Sequence, residues 1–191
     1  MKYDDRYPVE KRDKVVFLDI DGPIISTGLF YVDSRCSFDR TVCNGNAIGW
    51  VIATLQAANA WLVTNTTHNV HDVEDPLTAQ KRTIKDDLIR WGIEPHWFHP
   101  NSMTTYPYPP WEKPDWYEDE VRPWGFKHRR AKAVEIWLHE NGPDFKWVAF
   151  DDDEFSKTNQ VLIDFDKGVD VKAFEKACSI LGVQAKQKLI L

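Results

Sequence analysis

The chain has 191 residues, of which 42% are hydrophobic and 28% are charged, and its formal net charge is -6 at pH 7. This length and composition suit one globular domain, and no apolar run approaches the roughly 20 residues of a membrane span. The negative charge argues against general attraction to nucleic acid, because phosphate binding requires a basic field. A locally basic groove is still compatible with this negative net charge.

The cysteines indicate a reducing compartment. Cys36, Cys43 and Cys178 are odd in number and have neither metal-ligand nor CxxC spacing. We therefore expect reduced thiols rather than a disulfide framework or a zinc site. Residues 1–14 are charged and lack the apolar core of a signal peptide. From these features we expect a cytoplasmic protein that has no membrane partner.

The most informative stretch is an apolar run, Val15-Val16-Phe17-Leu18, which leads to Asp19, Asp21 and a Gly-Pro turn. A continuous apolar run of this kind predicts a buried strand of a parallel sheet. Ligands of open α/β sheets bind beyond the carboxyl ends of the strands. Two close carboxylates repel each other unless a shared proton or a cation relieves them, and Mg²⁺ is the cation that we expect. An ordinary strand with an Asp-Gly turn is the alternative.

The same design occurs again further along the chain. Trp147-Val148-Ala149-Phe150 is apolar and leads directly into Asp151-Asp152-Asp153-Glu154. Between the two acidic stretches, a third apolar run ends at Thr64, with Asn65 next in the chain. Parallel strands that each end in polar residues predict a site at one edge of the sheet.

These three strand ends resemble the motifs of the haloacid dehalogenase (HAD) superfamily: Asp-x-Asp-Gly after the first strand, Thr64 after a later strand, and paired Asp after a final strand. The resemblance covers most of the chain. It implies a single α/β domain over residues 1–191, a Rossmann-like three-layer sandwich with a central, mostly parallel five-stranded sheet and little or no cap domain. The turn at residues 166–170 also looks like the small, uncapped HAD proteins of bacteria and their phages.

Helical spacing predicts four helices. The first runs from Asn44 to about Ala58, with Asn44 or Asn46 as its N-cap. The others are predicted from Asp75-Pro76 to Gly92, from Phe126 to His139, and after Gly168.

Further strands are predicted at Phe30-Tyr31-Val32, His96-Trp97-Phe98 and Val161–Phe165. From His99 to Gly125 the chain is rich in proline and aromatic residues, and we predict an irregular insertion over about 99–125. A loop of this length is usually functional or poorly ordered. Its rings either form a rim that stacks a base beside the site or cover the edge of the sheet.

The HAD resemblance implies a role for each candidate residue. Asp19 would be the nucleophile, and Asp21 would be the general acid and base. Thr64, with Asn65, would bind the phosphoryl group, and Thr66 or Thr67 would replace Thr64 if the strand runs further. A Lys before the final acidic strand would join them. Lys127 matches best by position, and Lys132 is its rival. His68 and His71 follow in a polar loop, on the surface or in contact with substrate.

The resemblance also implies a magnesium site. Mg²⁺ would be held by the side chain of Asp19, the backbone carbonyl of Asp21, and Asp151 or Asp152. The stretch that begins at Asp151 offers four acids where two are usual, so the choice between Asp151 and Asp152 is open.

We therefore expect a Mg²⁺-dependent phosphomonoester hydrolase, a HAD-type phosphatase that acts through an aspartyl-phosphate. The family's dehalogenases lack a carboxylate at the position of Asp21, which favours phosphoryl chemistry here. The expected substrate is a phosphorylated small molecule, such as a nucleotide, or a nucleic-acid end. The alternatives are a phosphatase of sugar phosphates or phosphoproteins and a non-catalytic HAD-like binding module. The sequence does not indicate an oligomeric state.

Overall fold

A computed structural model describes residues 12–26, 42–70, 73–74, 81–104 and 126–185. In chain order its helices and strands are β1 (Lys14–Leu18), α1 (Gly45–Ala58), β2 (Trp61–Thr64), β3 (Val73–Glu74), β4 (Lys81–Arg82), α2 (Ile84–Arg90), β5 (Phe98–Met103), α3 (Phe126–Asn141), β6 (Lys146–Asp151), β7 (Gln160–Leu162) and α4 (Val171–Leu181). Short 3₁₀ turns span Thr67–Val70 and Pro95–Trp97.

The central sheet has five parallel strands in the order β5-β2-β1-β6-β7. Alternate side chains of β1 enter two separate cores. Val16 and Leu18 pack with apolar residues of α1, α2 and α4, while Phe17 packs on the other face with Val134 and Trp137 of α3. Helices therefore cover both faces of the sheet, and the predicted three-layer α/β sandwich is confirmed.

The strand order identifies the edge at which a ligand would bind. From β1 the chain passes to β2 and β5 on one side of the sheet and then returns to β6 and β7 on the other side. The crevice between the carboxyl ends of β1 and β6 is thus the topological switch point, where open α/β sheets bind ligands. Both strands run directly into Asp residues at this crevice.

Helix α1 begins and ends almost as predicted. Asn44 is its N-cap, and the Asn44 side chain accepts hydrogen bonds from the backbone N–H groups of Asn46 and Ala47. This arrangement resolves the choice between Asn44 and Asn46, because a cap side chain satisfies N–H groups two or three residues later. The helix ends at Ala58, before Asn59 in the left-handed region.

The predicted continuous helix from Asp75-Pro76 to Gly92 is wrong, although residues 75–80 themselves lie outside the described residues. Lys81 and Arg82 form β4, which pairs antiparallel with β3, and α2 begins only at Ile84. Thr83 and Asp86 form a capping box there, in which each side chain bonds the other residue's backbone N–H. These reciprocal bonds define a helix start more strongly than the Asp-Pro pair. The predicted end at Gly92 is correct to within two residues.

The third strand lies further along the chain than predicted. Residues 95–97 form a 3₁₀ turn, and the strand itself runs from Phe98 to Met103. The predicted irregular segment from His99 is therefore wrong at its start. Pro100 does not prevent this strand, because β5 is an edge strand and proline is tolerated there. The rest of that segment, residues 105–125, and the predicted strand at Phe30-Tyr31-Val32 lie outside the described residues.

The carboxyl-terminal elements agree with prediction to within a few residues. Helix α3 continues to Asn141, β7 ends at Leu162 rather than Phe165, and Asp170 caps α4 by accepting a hydrogen bond from Ala173 N–H. Among the helices in the described ranges, none is both long and apolar enough to cross a membrane.

Candidate active site

Asp19 lies at the carboxyl end of β1, inside the crevice at the switch point. Its backbone N–H donates to the carbonyl of Phe150 in β6 at 3.0 Å, which fixes the two strand ends against each other. The Asp19 side chain is 1% exposed. A carboxyl group buried to this degree is costly unless a cation or a proton compensates it.

Asp19, Asp151 and Asp152 form a group of three acids, which we call the acidic cluster. Each offers a carboxylate oxygen, and these oxygens lie within 4.8 Å of one another. Gly22 allows the close approach of Asp152: its φ is +84°, and a Cβ there would lie 2.8 Å from the side chain of Asp152. The two acidic stretches of the sequence thus meet at one site.

Arg130 of α3 contacts two members of this cluster. Its Nη1 lies 2.5 Å from Asp19 Oδ2 and 2.7 Å from Asp151 Oδ2. Sequence reasoning did not select this residue, although it belongs to the basic start of the predicted helix. The available signal was its spacing of three residues from Lys127, which places both on one helix face.

Burial and mutual repulsion raise the pKa values of the acidic cluster. Burial raises the pKa of Asp19 above its usual value of 3.8, and the charge of Arg130 opposes this rise. Burial and then the Asp19 carboxylate raise the pKa of Asp151 to about 8 and that of Asp152 to about 6. Burial lowers the pKa of Arg130, but Asp19 and Asp151 outweigh it and raise that pKa overall.

Asp21 lies two residues beyond Asp19 and is more exposed. Its backbone forms an isolated bridge with Ile25, closed by a hydrogen bond from Gly22 N–H to the carbonyl of Ile25. Its Oδ2 lies 3.1 Å from Nε2 of His68, in the turn after β2. Asp21 thus contacts His68, for which the sequence left two possibilities open: a surface position or contact with substrate.

The residues predicted to bind phosphate have different surroundings. The Thr64 hydroxyl donates to Asn69 Oδ1 at 2.7 Å, with the carbonyl oxygen of Ser102 at 3.3 Å; within the described residues it does not contact the acidic cluster. Asn65 is buried, and its Oδ1 accepts a hydrogen bond from Thr104. Thr66 is the hydroxyl residue near Asp19, close enough to lower the pKa of that carboxyl.

The two candidate lysines lie on α3. The backbone of Lys127 belongs to the first turn of the helix, but its side chain is outside the described part of the structure. Lys132 is buried, with 9% of its surface exposed. Arg130 lies between them in sequence and is the basic residue whose contacts with Asp19 and Asp151 the structure describes.

Gln160 of β7 organises the loop that carries Asp151 and Asp152. Its Nε2 donates to the carbonyls of Asp151 and Asp153 at 3.3 and 2.8 Å. Its Oε1 accepts two hydrogen bonds from the backbone N–H groups of Phe155 and Ser156, both at 2.9 Å. One buried amide therefore ties both ends of this loop to the strand beside β6.

The acidic cluster fits a divalent cation that prefers oxygen ligands. Arg130 Nη1 pairs with Asp19 Oδ2, and the Ile20 N–H and the Thr66 hydroxyl lie near the same carboxyl group. Three carboxylates face one guanidinium, so charge remains to be neutralised. Oxygen ligands of one Mg²⁺ lie at most about 4.2 Å apart, close to the 4.8 Å limit of this cluster.

No protein-family model, no curated protein and no solved structure matches this chain. Its function is therefore argued from the geometry and chemistry of the site.

Proposed function

We propose that this protein is a Mg²⁺-dependent phosphomonoester hydrolase of the HAD type that acts through an aspartyl-phosphate. One observation carries the proposal: the buried carboxylate of Asp19 lies at the switch point, against Asp151 and Asp152, with a more exposed second carboxylate at Asp21. A nucleophile, a set of oxygen ligands and a proton donor are the parts that phosphoryl transfer needs at one strand edge.

In the first half-reaction, an oxygen of Asp19 attacks phosphorus, and the ester P–O bond breaks. The products are an acyl phosphate on Asp19 and the alcohol that leaves. Covalent catalysis of this kind divides one difficult displacement into two easier ones. Arg130 supports the step because its guanidinium neutralises negative charge beside Asp19 and suits the phosphoryl oxygens.

Asp21 handles the protons of both half-reactions. It gives its proton to the leaving ester oxygen and is left as a carboxylate. That carboxylate then takes a proton from the water that attacks the acyl phosphate, which releases inorganic phosphate and regenerates the Asp19 carboxylate. A group two residues from the nucleophile and more exposed to solvent suits this exchange.

The residues that would hold Mg²⁺ are the side chains of Asp19, Asp151 and Asp152 and the backbone carbonyl of Asp21. When bound, the ion neutralises charge on the phosphoryl oxygens. The chain itself brings the three carboxylates together and buries them, so that their mutual repulsion favours cation binding.

For the substrate we propose a nucleotide or a nucleic-acid end, and this choice rests on the aromatic residues of the segment 105–125. Sugar phosphates and phosphoproteins are the alternative substrate classes. A non-catalytic binding module is the second candidate function. It is favoured by one observation, the pairing of Arg130 with both Asp19 and Asp151, because an internal counter-ion of this kind also suits a purely structural site.

The test is phosphate release from a panel of nucleotides, 3′- and 5′-phosphorylated oligonucleotides, sugar phosphates and phosphopeptides, with Mg²⁺ and with chelator. We expect Mg²⁺-dependent release from at least one class and no release from Asp19→Asn. Asp144→Asn, which changes an exposed acid in the turn before β6, is the matched control and should keep full activity. Absence of release across the panel from the Mg²⁺-loaded protein would favour the binding module.

A further inference from the structure

His68 contacts Asp21 from a separate part of the fold. The two residues are 47 positions apart in the chain, and His68 Nε2 lies 3.1 Å from Asp21 Oδ2. The His68 side chain is 12% exposed, against 31% for Asp21. A partly buried imidazole thus faces the carboxyl group to which we assign the proton transfers.

The turn that carries His68 is anchored to the strand ends. Asn69 donates from Nδ2 to the carbonyls of Thr64 and Thr104, and its Oδ1 accepts the Thr64 hydroxyl. The His68 backbone N–H lies 3.4 Å from the Thr66 hydroxyl oxygen. His68 is therefore held by the ends of β2 and β5, and Thr64 supports this turn.

The chemistry of the pair fixes the direction of the hydrogen bond. When Asp21 is ionised, its oxygens only accept hydrogen bonds, so Nε2 donates to Oδ2. When Asp21 carries the proton for the leaving group on its other oxygen, Oδ2 still accepts from Nε2–H. Both the neutral Nε2–H tautomer and the imidazolium have a hydrogen at this position. The contact therefore forms whether or not the ring is charged. It holds the Asp21 carboxyl group through its Oδ2 atom.

We propose that His68 is a positioning residue for Asp21. By holding one carboxyl oxygen of Asp21, His68 gives the other oxygen a fixed place for proton transfer to the leaving group. The inference rests on the proposed function, since it assumes that Asp21 is the general acid. General acid catalysis requires the proton donor to be within hydrogen-bond reach of the leaving oxygen. A carboxyl that rotates freely reaches that position only part of the time.

The test compares three variants on two substrates. His68→Leu removes the donor, His68→Gln supplies an amide nitrogen that reaches about as far as Nε2, and His68→Asn supplies one that stops short. Each is assayed with an alkyl phosphate, whose alkoxide leaves poorly, and with p-nitrophenyl phosphate, whose phenolate needs little protonation. Melting curves check that each variant is folded, and His139→Leu, an exposed histidine of α3, is the control.

We expect His68→Leu to lower kcat for the alkyl phosphate by about 10- to 100-fold, a part of the 10²–10⁴ that general acids contribute, and to leave KM nearly unchanged. The loss with p-nitrophenyl phosphate should be less than about threefold. His68→Gln should restore most of the activity on the alkyl phosphate, and His68→Asn should not. Equal losses on both substrates, or equal behaviour of the Gln and Asn variants, would overturn the positioning role.

A second measurement tests the contact without turnover. In ¹⁵N spectra of the histidine rings, His68 should carry its hydrogen on Nε2 in the wild-type protein, and Asp21→Ala should shift that signal. An Nδ1–H tautomer would contradict the assignment. If the wild-type protein hydrolyses neither ester, the proposed function fails and this inference falls with it. If the wild-type protein hydrolyses both esters but each His68 variant loses activity equally on the two, only the inference fails.

Discussion

At the scale of single residues, Arg130 determines the charge balance of the candidate site. Its Nη1 contacts both Asp19 and Asp151, and all three side chains are nearly inaccessible to solvent. Removing one partner from a buried ion pair leaves an uncompensated charge, which costs much more than the pair gains in stability. Arg130 is therefore expected to support the fold as well as the proposed chemistry.

Replacing Arg130 by Ala should destabilise the protein by about 3–5 kcal/mol at pH 9 in chelator, above the raised pKa of Asp151, because buried carboxylates then lose their shared cation. Denaturant titration followed by circular dichroism measures this loss. Arg90→Ala is the matched control. Arg90 also pairs with a buried aspartate, Asp87, but its side chain is 42% exposed, so we expect a loss below about 1 kcal/mol. Equal losses in the two variants would contradict a special role for Arg130.

Much of the acidic site could be predicted from the sequence. Asp19 and Asp151 each follow an apolar run that could be read as a buried strand, and parallel strands end at a common edge. Arg130 could not be distinguished in the same way from Lys127 and Lys132. All three belong to one basic stretch, and the local sequence does not give the rotation of α3 against the sheet that brings Arg130 to the carboxylates.

At the scale of elements, the loop after β6 is held by a single side chain of β7. The amide of Gln160 bonds two carbonyls and two backbone N–H groups of that loop, including the carbonyl of Asp151. Residues that orient metal ligands in this way are typically needed for full metal affinity. The loop is thus expected to keep Asp151 and Asp152 in place only while this amide is intact.

Gln160→Glu should weaken Mg²⁺ binding by about 10- to 100-fold. The variant keeps the size and the acceptor oxygens of the side chain but loses the Nε2 hydrogens that bond Asp151 and Asp153. Isothermal titration calorimetry measures the affinity directly. Gln56→Glu, on the exposed face of α1, makes the same chemical change away from the site and should leave the affinity within about twofold of wild type. An unchanged affinity in Gln160→Glu would show that the loop holds its shape without the amide.

The helix and the strand whose bounds were wrongly predicted from the sequence were misplaced for the same physical reason. The Asp75-Pro76 signal indicates a helix, but the capping box at Thr83 begins it later, and local signals do not reveal that Lys81 and Arg82 pair with another strand. Pro100 in turn argues against a strand, and the edge position of β5 together with its shifted register opposite Leu62 and Thr64 makes it acceptable. In both cases tertiary pairing decided what the local sequence left open.

At the scale of the whole molecule, the acidic cluster links stability to pH. The pKa values of Asp151 and Asp152 are raised to about 8 and about 6, from 3.8. Between these values and 3.8, the folded protein binds protons that the unfolded chain has released. Stability then falls as pH rises, because the unfolded state binds fewer protons.

In chelator, the free energy of unfolding should therefore fall by about 1 kcal/mol per pH unit between pH 5 and pH 7, relative to Asp151→Asn, which lacks the titrating carboxyl. Denaturant titrations of both proteins over this range measure the difference. Added Mg²⁺ should stabilise the wild-type protein most at high pH, because the carboxylates must be deprotonated to bind it. A difference that grows in favour of wild type as pH rises in chelator would contradict the raised pKa of Asp151.

The fold alone does not identify a reaction, because many unrelated functions share α/β sandwiches. The central claim is that Asp19 becomes phosphorylated. It is tested most directly by mixing the Mg²⁺-loaded protein with a substrate found in the panel, quenching in acid within milliseconds, and locating the modification by peptide mass spectrometry. We predict a mass gain of one phosphoryl group on the peptide that contains Asp19, labile at neutral to alkaline pH as an acyl phosphate is, and absent from Asp19→Asn. Phosphate release at the wild-type rate by folded Asp19→Asn, or a phosphoryl group on another residue, would contradict it.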